Sequence, residues 1–564
     1  MNSGPSVERP SHPFSPNISN LWIIGVAAVV LAAPMLGYGP MPQGHDTDQH
    51  LNFTRYFGEQ FWGGEWYPRW LIGMNHGLGS PTFFVYPPLP SYVCALLEPV
   101  AKVCHFNAFN MGEFLALFAS GICAFLWLNT MASRRVALAG AVLYMLAPYH
   151  LTVDYYRRTA LAECWAFVWM PLVLYFTTRI TRREHFALAG LAASYALLIL
   201  SHFVSVLIFS LIPLAAAVAF SVREQRARST LHVAAGMLIG AGLASFYLVP
   251  MLFHARYFPI SRLGLSPSVG ENLIGLAAPS GANAGFARAV SLTAIDTIAL
   301  CVLCGGVVLA KGLLDSRKKV LFWLVLCIVP VFLMSRLSFR VWRAFPPLPA
   351  AVQMPFRFNI VLCLAAVAIV AVFCSELSRL PRLWGAFSLP LVLVLIGTWL
   401  AGYGSVCRRY HAEMVPQVGA ASPASRFGDD DGWFLAWTPP GLDKAKALQG
   451  SDGPRVRFLA GNGTAKLLLW KPRLIEFQTD SPSGGPVMIN QFYYPAWRAA
   501  LVSPYLTLET KVAMPEGLLE LQVPPGHQQV RLEIPSGRAE RAGCWISGLF
   551  VLLTLGSLGI DRRS

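Results

Sequence analysis

The sequence predicts a polytopic α-helical membrane protein, with a core of about 12 transmembrane helices and a β-sandwich domain near the C-terminal end. Composition is the first ground: 55% of the 564 residues are hydrophobic and 13% charged, the profile of a chain whose main solvent is a bilayer. The second is the recurrence of apolar windows, at 20–38, 109–128, 136–151, 161–178, 185–203, 204–220, 231–252, 291–309, 320–334, 356–373, 384–402 and 544–560. Each approaches the ~20 residues that cross a hydrocarbon core. The third is a change of pattern between 404 and 543, where short alternating runs such as RVRFL, RLIEFQ, LLELQV and QQVRLEI are separated by Gly, Pro, Asn and Asp, as in an antiparallel sandwich. The expected organisation is a transmembrane core at 1–403, an external β-rich domain at 404–543, and a final helix with a short tail at 544–564.

Charge sets the orientation. The clusters Arg134 and Arg135, Arg179 with Arg182 and Arg183, Arg223 with Arg226 and Arg228, Arg317 to Lys319, Arg379 with Arg382, and Arg562 with Arg563 all fall on one side of a 12-span chain. The positive-inside rule makes that side the cytoplasm, together with both termini. The parity requires residues 82–100, TFFVYPPLPSYVCALLEPV, not to cross. Its Pro87–Pro88 pair suits an interfacial or re-entrant juxtamembrane segment within a first external loop at 39–107. The remaining outward segments are then 152–160, 253–290, 335–355 and 404–543. The net charge of +15 lies largely in short loops between apolar helices, which argues against a nucleic-acid partner. Before the first helix stands the single basic residue Arg9, so that helix is read as an uncleaved anchor. The 11 cysteines show no zinc spacing; most sit in apolar windows as small hydrophobes, and Cys407 and Cys544 are read as unpaired thiols.

The richest stretch chemically is GHDTDQHLNFTRYF at 44–57, directly after the first helix. His45, Asp46, Asp48 and His50 there can face water, a substrate and a lipid headgroup at once. Glu163, in RRTALAE, lies just inside the outer end of a span, where an ionisable group is costly. His202 occupies the outer end of another span and can hydrogen-bond a phosphate or sugar, or serve as a satisfied structural histidine. Arg157, Arg158, Arg256, Arg262, Arg336, Arg340, Arg343 and Arg357 sit at outer helix ends, where arginine is normally depleted. A lipid phosphate, gripped by guanidinium forks, would compensate them; snorkelling or pairing with carboxylates is the plainer reading for any single one.

These parts suit sugar transfer outside the cytoplasm, where the donor is a sugar already carried on a polyprenyl phosphate. A carboxylate must deprotonate the acceptor hydroxyl, and cations or a metal must stabilise the departing phosphate. Asp46 or Asp48 could be the base, Glu163 a second acid or positioning group, and the arginines the clamp. Asp residues after a helix end also commonly cap backbone groups, the structural alternative for Asp46.

GHDTDQHL, YPRWLIGMNHGLGSPTFFVYPPLPSY, YYRRTALAECWAFVWMPLVLY, the SH of LLILSHF and MPFRF resemble the bacterial membrane proteins called 6-pyruvoyl-tetrahydropterin synthase-related. Through them the chain resembles the YfhO-like and GT-C glycosyltransferases; NQFYYPAWRAAL and GLLELQVPPGHQQVRLEI extend the likeness into the β-rich part. The resemblance implies a first external loop carrying an essential acid, which maps to Asp46 with Asp48 beside it, and a polyprenyl-phosphate-sugar donor. It implies an acceptor that is an envelope lipid, glycan or protein, at the outer face of a bacterial inner membrane. Within it, Asp46 is the base, Asp48 a second acid, Asp46 and Asp48 the candidate ligands of a divalent ion (Mg or Mn), and Glu163 an acceptor-orienting group. Arg157, Arg158 and Arg357, with His45, His50 and His202, bind substrate. The soluble pterin enzyme's three-histidine zinc site has no counterpart here. Two other classes remain: a lipid or polysaccharide transporter, which needs polar or broken-helix features near the midplane, and a non-catalytic envelope-assembly partner, which needs none of the outer acids.

Overall fold

Each of the 12 apolar windows lies on a helix in the computed structural model, which describes residues 18–39, 44–258, 273–274, 284–345, 352–379, 381–414, 446–447, 453–460 and 463–561. Arg9, Arg262, Arg562 and Arg563 lie outside the described residues. In chain order the principal helices are α1 Ile18–Tyr38, α2 Thr47–Trp62, α3 Leu89–Val103, α4 Ala108–Leu128, α5 Arg134–Leu146, α6 Leu161–Thr181, α7 Ala187–Ser201 and α8 Phe203–Phe220. They continue with α9 Arg226–Leu243, α10 Ser245–His254, α11 Ala284–Lys311, α12 Leu314–Met334, α13 Asn359–Glu376, α14 Arg382–Met414 and α15 Arg538–Asp561.

Length and apolarity alone give a smaller count of spans than the 12 windows. Among the described residues 8 helices are long and apolar enough to cross a membrane, or 9 if the segments Arg223–Leu243 and Ser245–Tyr257, bent by 72°, make one span. The shortfall has local causes. α7 has 15 residues, roughly 22 Å at 1.5 Å per residue against a core of about 30 Å. α12 opens on Asp315, Arg317, Lys318 and Lys319, and α15 on Arg538, Glu540 and Arg541, so the first turns of each helix are polar.

The segment 82–100 does not form a spanning helix. Pro88 precedes α3, Pro87 interrupts the chain after the short turn Thr82–Val85, and α3 itself has 15 residues. Residues 152–160 are not a loop. The chain continues from α5 through a π-helix, Tyr149–Arg158, that is buried along all but Arg157 and ends where Thr159 adopts left-handed φ 53°. π-Helical turns widen the backbone and re-aim side chains, and they gather at functional sites.

Nine strands among the described residues form two antiparallel sheets, ordered β1-β4-β8-β7 and β2-β3-β9-β5-β6. β1 is Val456–Phe458, β2 Thr464–Lys471, β3 Leu474–Ser481, β4 Gly485–Phe492, β5 Arg498–Leu501, β6 Leu506–Leu508, β7 Thr510–Ala513, β8 Leu518–Val523 and β9 Gly526–Glu533. Alternation drives the packing: Ile475, Phe477, Thr479 and Ser481 of β3 point inward while their neighbours face out. Facing side chains from both sheets, among them Val487, Ile489, Leu519, Leu521, Val530 and Leu532, close a sandwich core.

That core is shared with the loop after α1, because Trp70 and Phe84 are buried in it. Trp70 Nε1 donates to Gln491 Oε1 at 2.8 Å, Gln491 Nε2 to the Gly77 carbonyl at 2.6 Å, and the Phe492 amide to the Leu78 carbonyl at 2.7 Å. Gly79, at φ +85°, permits this approach: a Cβ there would stand 2.5 Å from both Gln491 Oε1 and the Trp70 ring. Glu540 at the start of α15 takes Arg473 of β3's turn through both oxygens, at 3.0 and 2.9 Å, and Arg69 of the loop at 3.2 Å. The sandwich is therefore tied to the loop after α1. Cys407 and Cys544 are both free.

Candidate functional site

The segment entering α2 and the end of the π-helix before α6 meet through the backbone before any side chain is considered. The His45 amide donates to the Arg157 carbonyl at 3.3 Å and the Asp46 amide to the Arg158 carbonyl at 2.9 Å, while the Thr47 and Thr159 hydroxyls are hydrogen-bonded. This docks the 44–47 segment onto the last turn of the π-helix and delivers Asp46 to Arg158.

Asp46 stands at the position preceding α2 where an aspartate ordinarily caps the helix, yet its carboxylate makes no cap hydrogen bond. It accepts from Arg158 Nη2 at 2.8 Å instead. The same guanidinium gives Nη1 to Asp154 Oδ1 at 2.7 Å and to Glu163 Oε2 at 2.6 Å. Glu163 also receives the Tyr149 hydroxyl on Oε1 at 2.9 Å and lies 3.4 Å from Arg357 Nε. Three carboxylates and two guanidiniums thus share one cluster. Among those carboxylates exposure separates the roles: the Asp154 and Glu163 side chains are 0% and 1% exposed, and Asp46 is 27% exposed.

Burial opposes ionisation of Asp46, but Arg158, His50, Arg357 and His45 outweigh it and hold the carboxyl below its ordinary range. Burial pushes the His50 imidazole down to about 4, against the pull of Asp46 and with Arg158 and Arg357 adding to the fall. His50 is therefore neutral near pH 7, packed edge-on against Phe53 and Tyr86. His45 is lowered too, by burial first, and packs on Phe286 with ring centroids 4.0 Å apart.

The sequence-derived site residues divide accordingly. Asp46, Arg158, Glu163 and Arg357 are brought together, with His45 and His50 beside Asp46. His202 is buried at the α7–α8 break, its Nδ1 2.7 Å from Ser205 Oγ, and feels the charge of Glu163. Asp48 lies half-buried in the first turn of α2. Arg157 is half-buried, near Arg409 and outside the carboxylate cluster.

Three of the expected substrate-facing side chains are engaged within the cluster. Arg158 is 3% exposed with its donors on three carboxylates. Glu163 is walled in by Arg158, Tyr149 and Arg357. Arg357 does not reach outward from its helix: Nη1 donates to Gln353 Oε1 at 2.6 Å and to the Val352 carbonyl at 3.2 Å, and the side chain is 9% exposed.

The structure adds Asp154 and Tyr149, which sequence reading passed over. The available signal was an acid 4 residues before Arg158 in HLTVDYYRR, the i, i+4 spacing of a helical ion pair. Among the described residues no 3 His, Cys, Asp or Glu side chains converge as a metal site.

No curated protein matches the chain. Among solved structures, the oligosaccharyltransferase of Archaeoglobus fulgidus in its apo form is similar over 70% of this chain and 57% of its own, at 11% identity and TM-score 0.44. The same enzyme tethered by a disulfide to an acceptor peptide containing the NVT sequon is similar over 70% and 55%, at 12% identity and TM-score 0.41. The chain thus spans little more than half the length of those proteins. The sequence profile of the 6-pyruvoyl-tetrahydropterin synthase related domain, a membrane-protein family, matches residues 83–403. That match covers more than half of the chain, and the protein belongs to this family.

Proposed function

We propose that the protein is a membrane glycosyltransferase of GT-C type, moving a sugar from a polyprenyl-phosphate donor to a hydroxyl of an envelope lipid, glycan or protein. The reaction takes place at the helix ends where Asp46 lies, the outer face of a bacterial inner membrane with both termini in the cytoplasm. The observation that supports this reading best is Asp46 itself. It is the cluster carboxylate that reaches open space, kept ionised and aimed by a buried arginine that two fully buried acids hold in place.

In this scheme Asp46 accepts the proton of the acceptor hydroxyl, the oxygen attacks the anomeric carbon, and the bond from that carbon to the phosphate oxygen breaks. The phosphate leaves with the electron pair on its polyprenyl carrier. Glu163 and Asp154 fix the Arg158 fork, and the neutral His50 lies beside Asp46. The charged cluster sits at one end of the helices, which favours transfer over a two-sided transport path.

The test is incubation of the purified protein with polyprenyl-phosphate sugars in liposomes, followed by mass spectrometry. Sugar-dependent release of the bare polyprenyl phosphate together with a glycosylated acceptor supports the proposal. Movement of intact lipid-linked sugar across the bilayer, with no cleavage, would replace it by transport.

A further inference from the structure

The opposite ends of the helices carry a second constellation, independent of the transfer reading. The C-terminal ends of α4, α6 and α8 and the first turns of α12 enclose a pocket of about 400 Å³, within the size range of small-ligand sites. Its walls are apolar and aromatic: Trp127, Leu174, Ala216, Phe220, Phe322 and Trp323. Its rim carries Arg182, Lys318 and Lys319 against the single carboxylate of Asp315.

The rim cations are only partly spent. Lys319 pairs with Asp315 at 2.6 Å, Arg182 gives Nη2 to the Thr130 carbonyl, and Lys318 Nζ lies 5.9 Å from the Phe220 ring centre. The hydroxyls of Thr177, Thr178 and Thr181, which also line the pocket, donate back to the carbonyls of Val173, Leu174 and Thr178. The donors open to a ligand are therefore the cations. An amphipathic pocket with positive charge at its mouth, set at helix ends where headgroups lie, matches an anionic lipid better than a soluble anion, which has no use for the aromatic wall.

We propose that this pocket binds one anionic phospholipid of the leaflet at this end, with its phosphate among Arg182, Lys318 and Lys319 and an acyl chain along Phe220, Phe322 and Trp323. Phosphatidylglycerol is the probe, with phosphatidylcholine of the same chains as its neutral counterpart. Native mass spectrometry of the full chain should show phosphatidylglycerol retained and phosphatidylcholine lost. The Lys318→Ala/Lys319→Ala variant should weaken retention by about 10-fold or more, the loss expected for charge-assisted contacts. Arg134→Ala/Arg135→Ala, basic at the same end but outside the pocket, should retain the lipid as wild type does. Where the double lysine variant fails to fold, Lys318→Gln alone must still reduce retention. Equal retention of both lipids, or equal loss in the Arg134/Arg135 variant, overturns the proposal. Displacement by excess inorganic phosphate overturns it as well, because the pocket would then be a soluble-anion site.

Discussion

Arg158 Nη2 meets Asp46 Oδ2 at 2.8 Å, joining residues 112 positions apart, and the same side chain satisfies Asp154 and Glu163. A guanidinium can do this because its donors lie in a rigid plane, whereas an ammonium offers one compact point charge. Arg158→Ala leaves the buried Asp154 without its cation and Glu163 with Arg357 alone, and should cost about 3–5 kcal/mol. Arg158→Lys should fall between Ala and wild type. Thermal midpoints in detergent check the order, and a wild-type midpoint for the Ala variant would show that the cluster does not hold the fold.

Arg357 reaches Glu163 at 3.4 Å and Gln353 at 2.6 Å, so its effect on transfer passes through the cluster. Arg357→Ala should lower thermal midpoint and turnover together, and Arg357→Lys should keep part of both. A loss of about 1.5–3 kcal/mol is the expected scale for a charge-assisted contact. If Ala raised the donor KM alone, with the midpoint unchanged, the residue would instead bind donor phosphate directly.

The Glu540 clamp ties α15 to the loop after α1 and to β3's turn. Glu540→Gln strands Arg69, whose side chain is 3% exposed, at a cost on the order of 3 kcal/mol. Limited proteolysis should then cut between the sandwich and the membrane part faster than in wild type. Unchanged digestion would show that the Trp70–Gln491 contact suffices.

His50 provides a pH signature. Its folded pKa, about 4, lies below the ordinary 6.5, so between those values the unfolded chain binds the extra proton and stability rises with pH. As pH falls from about 6.5 towards 4 the protein should lose stability, levelling off once the folded form also protonates. The slope of thermal midpoint against pH in that window should be shallower in His50→Gln. Equal slopes would show that His50 is solvated.

How much of this was legible depended on whether the signal was local. Each apolar window fell on helix, although α2 and α3 of the first external loop lay outside the windows, and the alternation in RLIEFQ and QQVRLEI located β3 and β9, because each pattern reports the burial of its own segment. The count of windows exceeds the count by length and apolarity where polar first turns, as in α12, shorten the apolar reach of a helix that continues. Asp46, Glu163 and Arg158 stood out as charges where charge is expensive. Their pairing did not, since a contact across 112 positions leaves no trace in a single sequence. Asp154 was missed because 152–160 read as a loop, whereas the π-helix buries it. The inward turn of Arg357 depends on Gln353 and Glu163 and so could not be read from MPFRF.

The central claim is that Asp46 is the base, and Asp46→Asn tests it most directly, since size is kept while charge and basicity go. The measurement is sugar transfer from polyprenyl-phosphate sugar, at equal protein level and with the thermal midpoint recorded alongside. The account predicts a fall of ~100-fold or more in turnover from a protein that remains folded. Turnover within a few-fold of wild type would contradict it.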